Sequence, residues 1–328
     1  MTDEPHSPPN PPRRIEVLAF PDVQLLDVAG PLQAFATAND LARHRGAPAP
    51  YRLAVVARGG ASVVSSAGLG LLAAPLPRAA AALDTLIVAG GYGVNAASGD
   101  QALLAWLRAR APRARRLASV CSGAFLLAAA GLLKGRRVAT HWTRCAELAR
   151  RHPEVTVEED PIYIRDGNVW TSAGITAGID LALALIEEDL GRAAALAVAR
   201  QLVVFLKRPG GQSQFSAALA LQQGDDRFGA LHAWIADNLS ASIPEIAARA
   251  GMSERTFLRR YREATGGAPA KAVERLRVEA ARRRLCESRE PLKRVALRCG
   301  FGSEDAMRRS FLRLAGVLPQ DYRRRFSG

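Results

Sequence analysis

The stretch "RRLASVCSGAFLLAAAGLL", residues 115–133, sets a single cysteine between a short apolar run and an alanine- and leucine-rich segment. Residues 115–120 read as a buried strand and 122–133 as a helix, with Cys121, Ser122 and Gly123 turning the chain sharply between them. Hydrolases and amidotransferases expose a nucleophile at such a strand-to-helix elbow. Cys121 is therefore a candidate nucleophile, or the wall of a pocket that only binds.

Working outward, "IEVLAF" (15–20), "YRLAVVA" (51–57) and "DTLIVAGG" (84–91) are further short apolar runs that read as buried strands. Helical patterns fit 31–43, 101–110, 122–133 and 178–190. Alternating strands and helices imply a mostly parallel, flavodoxin-like sheet with helices on both faces. Ligands of such sheets bind beyond the carboxyl ends of the strands. Asp27 in "LLDVAGP", the "AGGYG" run at 89–93 and Cys121 all fall there. Gly90 and Gly91 let backbone N–H groups approach a ligand oxygen, and the N–H of Ser122 adds to an expected oxyanion-binding corner. A helix starting behind Cys121 is expected to favour its thiolate, and an adjacent carboxyl to share a hydrogen bond with it. His141, in "ATHW", is a fourth candidate or simply packs beside Trp142.

These pieces resemble the ThiJ/PfpI-like branch of the class I glutamine amidotransferase-like superfamily. The resemblance runs through "LLDVAGPLQAF", "IVAGGYG", "VCSGAFLLAAAGLL", "ATHW" and "VWTSAGITAGIDLALALIE", over roughly residues 14–190. In catalytic relatives the elbow cysteine is assisted by a glutamate and a histidine. Here Asp27 holds the acidic position, and Ser122 stands where peptidase-like members have histidine. An aspartate with a cysteine also occurs in isocyanide hydratase-like relatives. The resemblance thus implies a ligand pocket of Asp27, Gly90, Gly91, Cys121, Ser122 and His141, with Cys121, Asp27 and His141 as the catalytic set if the domain is active.

The 328 residues suffice for two domains. The four cysteines, Cys121, Cys145, Cys286 and Cys299, form no CxxC pair, so a disulfide framework, a zinc site or another metal or cofactor is not expected and a reducing cytoplasm fits. The proline-rich start, residues 1–13, lacks the apolar core of a signal peptide and reads as a flexible tail, and no apolar stretch is long enough for a membrane span. The formal charge of +14 is uneven: residues 228–328 hold 21 Lys and Arg against 11 Asp and Glu. That imbalance points to nucleic acid bound by the C-terminal part.

The same region repeats itself. "IAARAGMSERTFLRRYREATGGAPAKAV" (246–273) aligns with "VALRCGFGSEDAMRRSFLRLAGVLPQDY" (295–322). Ser253 pairs with Ser303, Phe257 with Met307, Arg259 with Arg309, Tyr261 with Phe311, Gly266 with Gly316 and Pro269 with Pro319, each 50 residues on; Gly251 and Gly300 are 49 apart. Each copy reads as helix, glycine turn, serine-capped helix. Ile243, Ile246, Ala247 and Ala250 form the apolar stripe of the first, continued by Phe257, Leu258 and Tyr261. Leu292, Val295, Ala296 and Cys299 repeat it in the second, with Met307, Phe311 and Leu314 inward. Residues 269–288 read as a long amphipathic helix joining the copies. Two such units should enter successive major grooves, roughly 34 Å apart. Arg255, Arg259, Arg308 and Arg309 suit guanine edges, and Glu254, Glu304 and Asp305 suit cytosine. Arg260, Arg262, Lys293, Arg294 and the terminal "YRRRF" suit phosphates.

Residues 228–328 closely resemble the DNA-binding domain of AraC/XylS-family regulators, through "IAARAGMSERTFLRRYREATG", "AVERLRVEAARRRL" and "VALRCGFGSEDAMRRSFLRLAGVLPQDYRRRF". The resemblance implies that Arg255, Leu258 and Arg259, with Glu304, Asp305, Arg308 and Arg309, face bases. The apolar stripe would instead put Leu258 in the core. The run 199–216 resembles the junction between the two domains in GlxA-type regulators.

The expectation is an α/β sensor domain over 14–208, a polar linker over 209–227 and an all-α double helix-turn-helix domain over 228–328. Its expected partners are double-stranded DNA, a small-molecule effector, a second copy of the chain and RNA polymerase, with no membrane. The resemblance makes nitrogen-containing metabolites plausible effectors. The alternative is an active cysteine hydrolase or hydratase fused to a DNA-binding module.

Overall fold

The computed structural model describes residues 11–206, 211–212, 228–315 and 317–326. Residues 1–10 of the expected tail, all of the expected linker but 211–212, and Gly316 lie outside the described residues. The chain divides into two compact units, Met1–Arg208 and Pro209–Gly328.

In the first unit, apolar runs too short for buried helices become strands, and three part-exposed segments join them at the sheet's flanks. They are β1 (Arg13–Leu18), β2 (Tyr51–Ala57), β3 (Ala61–Val64), β4 (Gly70–Pro75), β5 (Thr85–Val88), β6 (Arg116–Ser119), β9 (Tyr163–Asp166) and β10 (Val169–Ser172). They build one sheet in the order β3-β4-β2-β1-β5-β6-β10-β9. The pairs β4–β2, β2–β1, β1–β5, β5–β6 and β6–β10 are parallel, whereas β3–β4 and β10–β9 at the two edges are antiparallel. Two short parallel strands, β7 (Arg137–Val138) and β8 (Thr156–Val157), pair separately. The helices are α1 (Leu25–His44), α2 (Val94–Gly99), α3 (Gln101–Arg110), α4 (Gly123–Ala129), α5 (Cys145–Arg151), α6 (Ala177–Leu190) and α7 (Arg192–Leu202). The register pairs Leu18 with Val88 and Val88 with Ser119, so three strands end side by side and the segments leaving them are brought together.

Several boundaries depart from the sequence reading, among them the end of β5, which stops at Val88 rather than at Gly91. Arg13 already belongs to β1 rather than to the tail, because its amide bonds the Pro50 carbonyl and continues the ladder with β2. Helix α1 starts at Leu25 and runs through Pro31, six residues before the expected start. By its missing N–H, Pro31 favours a first turn. Burial of Val28, Gly30 and Pro31 overrides that preference, and Asp27 consequently sits in the first helical turn. Helix α4 ends at Ala129, short of 133, where the 130–135 segment turns.

The second unit comprises α8 (Gly229–Asp237), α9 (Ile243–Arg249), α10 (Glu254–Thr265), α11 (Pro269–Glu287), α12 (Leu292–Arg298), α13 (Glu304–Ala315) and α14 (Pro319–Phe326). Both copies of the repeat adopt the expected helix-turn-helix. Each has its own small core, and α11 serves both. Ala272 and Val273 on its first half pack with Phe228, Ile246, Phe257 and Tyr261. Val278, Ala281 and Leu285 on its second half pack with Val295, Cys299, Met307 and Phe311. Leu314, expected inward, is exposed; beyond Phe311 the core is closed by Ala315 and Val317. Among the described residues no helix is long and apolar enough to cross a membrane, and no cluster of His, Cys, Asp and Glu is placed to hold a metal.

Candidate functional site

Cys121 comes two residues after the end of β6 and has φ 55°, a left-handed conformation that an L-residue keeps only when its surroundings demand it. Its amide bonds the carbonyls of Ser172 and Ala173 at the end of β10, and its own carbonyl accepts from the Thr140 hydroxyl at 2.8 Å. The elbow is thereby tied to two neighbouring segments. Asp27, fully buried, accepts the Gly90 N–H through Oδ2 at 3.0 Å. Ser122 Oγ accepts the Gly91 N–H at 2.9 Å. A Cβ at position 90 would stand 2.6 Å from the Ser122 nitrogen and 2.8 Å from Asp27 Oδ2, so only glycine fits between them.

A cleft of about 170 Å³ opens over the elbow, lined by Gln24, Gly91, Tyr92, Cys121, Ser122, His141, Thr143, Arg144 and Ile175. Four of the six expected pocket residues, Gly91, Cys121, Ser122 and His141, reach its wall. Asp27 and Gly90 lie one layer behind. His141 is held by its Nδ1, 2.7 Å from the Thr143 hydroxyl, and burial followed by the nearby Arg144 charge lowers its pKa, leaving it neutral near pH 7.

Three electrostatic expectations are corrected. Burial, and then the Asp27 charge, push the Cys121 thiol up to about 12; N–H groups of Ser122 and Ile175 pull the other way and lose. The cysteine is thus a thiol at neutral pH rather than a thiolate, because the desolvation of its pocket outweighs a seven-residue helix behind it. Two of the three N–H groups of the expected oxyanion corner are also already committed: Gly90 donates to Asp27 and Gly91 to Ser122 Oγ. Among the described residues Asp27 Oδ1 is buried without a hydrogen-bond partner, so the expected carboxyl–cysteine bond is not among those formed. Burial lifts Asp27 to about 7, against the lowering effect of the Gly90 N–H and the Cys121 side chain.

Ile175 and Arg144 were not singled out in the sequence. Ile175 has φ 54°, costly for a β-branched residue, lines the cleft beside Cys121, and its N–H counts among the groups that lower the thiol's pKa. Arg144 forms a two-pronged pair with Glu147 at 2.7 and 2.8 Å and lies 4.2 Å over the Phe125 ring. The "TSAGIT" run before α6 was the only local signal for the first, and nothing in the spacing marked the second.

In the second unit, Ser253 Oγ accepts the Thr256 N–H and Ser303 Oγ the Ala306 N–H, starting α10 and α13 where the repeat expects them. Phe257 and Tyr261 turn inward, which leaves Glu254, Arg255, Leu258, Arg259 and Arg262 exposed on α10. Leu258 is 40% exposed, which favours the outward over the core position. On α13, Asp305 and Arg309 are exposed and Glu304 is half-buried. Arg308 is half-buried too, and donates to Gln320 Oε1 at 3.4 Å. Arg260, Lys293 and Arg294 are exposed. The terminal "YRRRF" departs from a phosphate-facing run: Tyr322 is buried in the second core and Arg323 donates to the Glu290 carbonyl at 2.6 Å. Packing of α14 against α11 takes those two side chains.

Residues 13–188 match the DJ-1/PfpI family and residues 246–325 a helix-turn-helix domain family. The chain is 33% identical to the HTH-type transcriptional regulator Rv1931c of Mycobacterium tuberculosis, over 75% of this chain and 96% of that one. It is 38% identical to isonitrile hydratase of Pseudomonas putida, over 58% of this chain and 77% of that one. A ThiJ/PfpI family protein from Pseudomonas syringae shares the fold, with a TM-score of 0.54 and 24% identity, covering 82% of this chain and 93% of that one. The chain belongs to the DJ-1/PfpI family, and beyond that domain it carries an AraC-type helix-turn-helix domain that binds DNA.

Proposed function

We propose that the protein is a cytoplasmic transcriptional regulator that reads double-stranded DNA through α10 and α13 and senses a small molecule in the cleft over Cys121. The observation that carries this reading is the pair of outward-facing second helices, each a copy of the other, held on the single helix α11. Arg255, Arg259 and Arg309 supply direct base readout, with Glu254, Asp305, Glu304 and Arg308 at the margins of the two faces. Exposed Arg260, Arg262, Lys293 and Arg294 supply phosphate contacts.

The cleft serves binding rather than turnover. A neutral thiol and internally paired amides leave little to attack a carbon or to hold a developing oxyanion. An effector there changes DNA affinity only if it prefers one of two states of the protein, since equal affinity shifts nothing. Homodimerisation and a contact with RNA polymerase belong to the same reading, on the resemblance to regulators of this type.

The test is fluorescence anisotropy on a DNA fragment from upstream of the protein's own gene, with unrelated DNA as competitor. Arg259→Ala and Arg309→Ala should each cost about 1–3 kcal/mol and relax selectivity at one position. Wild-type affinity and selectivity in both variants would overturn the reading.

A further inference from the structure

Arginines that the DNA-reading faces do not use gather elsewhere on the second unit. A broad cleft of about 1110 Å³ is lined by residues of α8, the turn at 238–241, α9, α11 and Arg298 of α12. None of its residues belongs to α10 or α13. Four arginines converge on it: Arg249, Arg283, Arg284 and Arg298.

The repeat explains the convergence. Arg249 and Arg298 are the last residues of α9 and α12, 49 positions apart, which is the spacing of Gly251 and Gly300. The two helix-turn-helix units thus present the same arginine from two sides, and α11 adds Arg283 and Arg284. The positions also lie at helix C-termini, where a cation complements the terminal carbonyls.

The cleft is built rather than incidental. Arg277 donates to the carbonyls of Leu239 at 2.7 Å and Ala241 at 3.2 Å, pinning the turn that forms one rim. Gly300 packs so closely that a Cβ would lie 2.0 Å from the Leu239 carbonyl oxygen. Trp234 lies half-buried, with the Arg249 guanidinium 5.8 Å from its ring centre. Arginine and tryptophan together are the residues most often found to dominate protein–protein contacts.

The charge is available. Among the described residues, Arg298 pairs with Glu290 at 3.1 Å, while Arg249, Arg283 and Arg284 have no carboxylate partner. Asp237 and Glu245 also line the cleft, but the Glu245 carboxylate is committed to the Ser242 N–H and hydroxyl, both at 2.7 Å. Arg249, Arg283 and Arg298 are exposed, so the cleft is an open trough rather than an enclosed small-molecule pocket.

We propose that this trough docks an acidic segment of another protein assembled on the same DNA, its carboxylates bridging the equivalent arginines of the two helix-turn-helix units. Guanidinium groups match carboxylates in fork geometry, and the separation from α10 and α13 lets the trough be filled while DNA is bound.

The experiment uses the full chain and a fluorescein-labelled oligoglutamate peptide, with DNA affinity measured in parallel. The peptide should bind at low salt, and Arg249→Ala combined with Arg298→Ala, or Arg283→Ala alone, should weaken it by about tenfold. DNA affinity should be unchanged in both variants, which also reports that they fold. Loss of DNA affinity would make these arginines phosphate contacts and overturn the proposal. Equal weakening by Arg52→Ala with Arg150→Ala, exposed arginines of the other unit, would reduce the binding to net charge and overturn it. Displacement of the peptide by inorganic tripolyphosphate at a lower concentration than by unlabelled peptide would assign the trough to a phosphate ligand instead.

Discussion

Asp27 illustrates how one buried carboxyl sets the chemistry of the pocket. With its pKa lifted from 3.8 to about 7, the folded chain holds a proton there that the unfolded chain has already released. Between those values the folded state binds more protons, so stability falls as pH rises through the window and the penalty is complete above about pH 7. Asp27→Asn keeps the shape and cannot ionise. Denaturant titrations at about pH 5 and pH 8 should show the wild type losing stability relative to that variant, by about 1–4 kcal/mol. Parallel behaviour of the two proteins would show that Asp27 is ionised throughout. The elbow, the glycines and Asp27 were legible because they lie just beyond strands that must end together. The thiol state was not legible, since the sequence shows a helix start behind Cys121 but not how completely water is excluded from the sulfur. Ile175 was hidden for a related reason: nothing in its neighbours announces that a β-branched residue adopts φ 54°.

At the scale of elements, the helix-turn-helix copies were legible from their spacing because each needs the same glycine, serine cap and inward aromatic. The outer strands β3, β4 and β9 were not singled out, as their part-exposed residues lack the continuous apolar run that marks β1, β2 and β5. The start of α1 was misplaced because proline's local preference yielded to burial on α6, where a Cβ at Gly30 would already stand 3.0 Å from Ile179. Leu314 shows the same limit in reverse, with helical spacing continuing past the point where the core stops. The two turn glycines give a sharper test. Gly251 (φ 67°) has open space about it, whereas Gly300 (φ 75°) faces the Leu239 carbonyl. Gly251→Ala should cost about 1 kcal/mol from the left-handed conformation alone. Gly300→Ala adds a backbone clash and should cost more, by about 1–3 kcal/mol, read from thermal unfolding of the full chain. Equal costs would show that the Leu239 turn yields freely.

For the whole molecule, the uneven charge and the internal repeat are enough to separate a DNA-binding part from an α/β part in the amino-acid sequence alone. They do not reveal the use made of surplus arginines, since a solvated surface and a built trough read alike in sequence. The central claim is that α10 and α13 enter successive major grooves of one DNA. Footprinting of the purified protein on DNA upstream of its own and neighbouring genes tests it most directly. The account predicts paired major-groove protections about 10 base pairs apart, one lost in Arg259→Ala and the other in Arg309→Ala. A single protected groove unaffected by Arg309→Ala, or no specific protection at moderate salt with or without a metabolite extract, would contradict it.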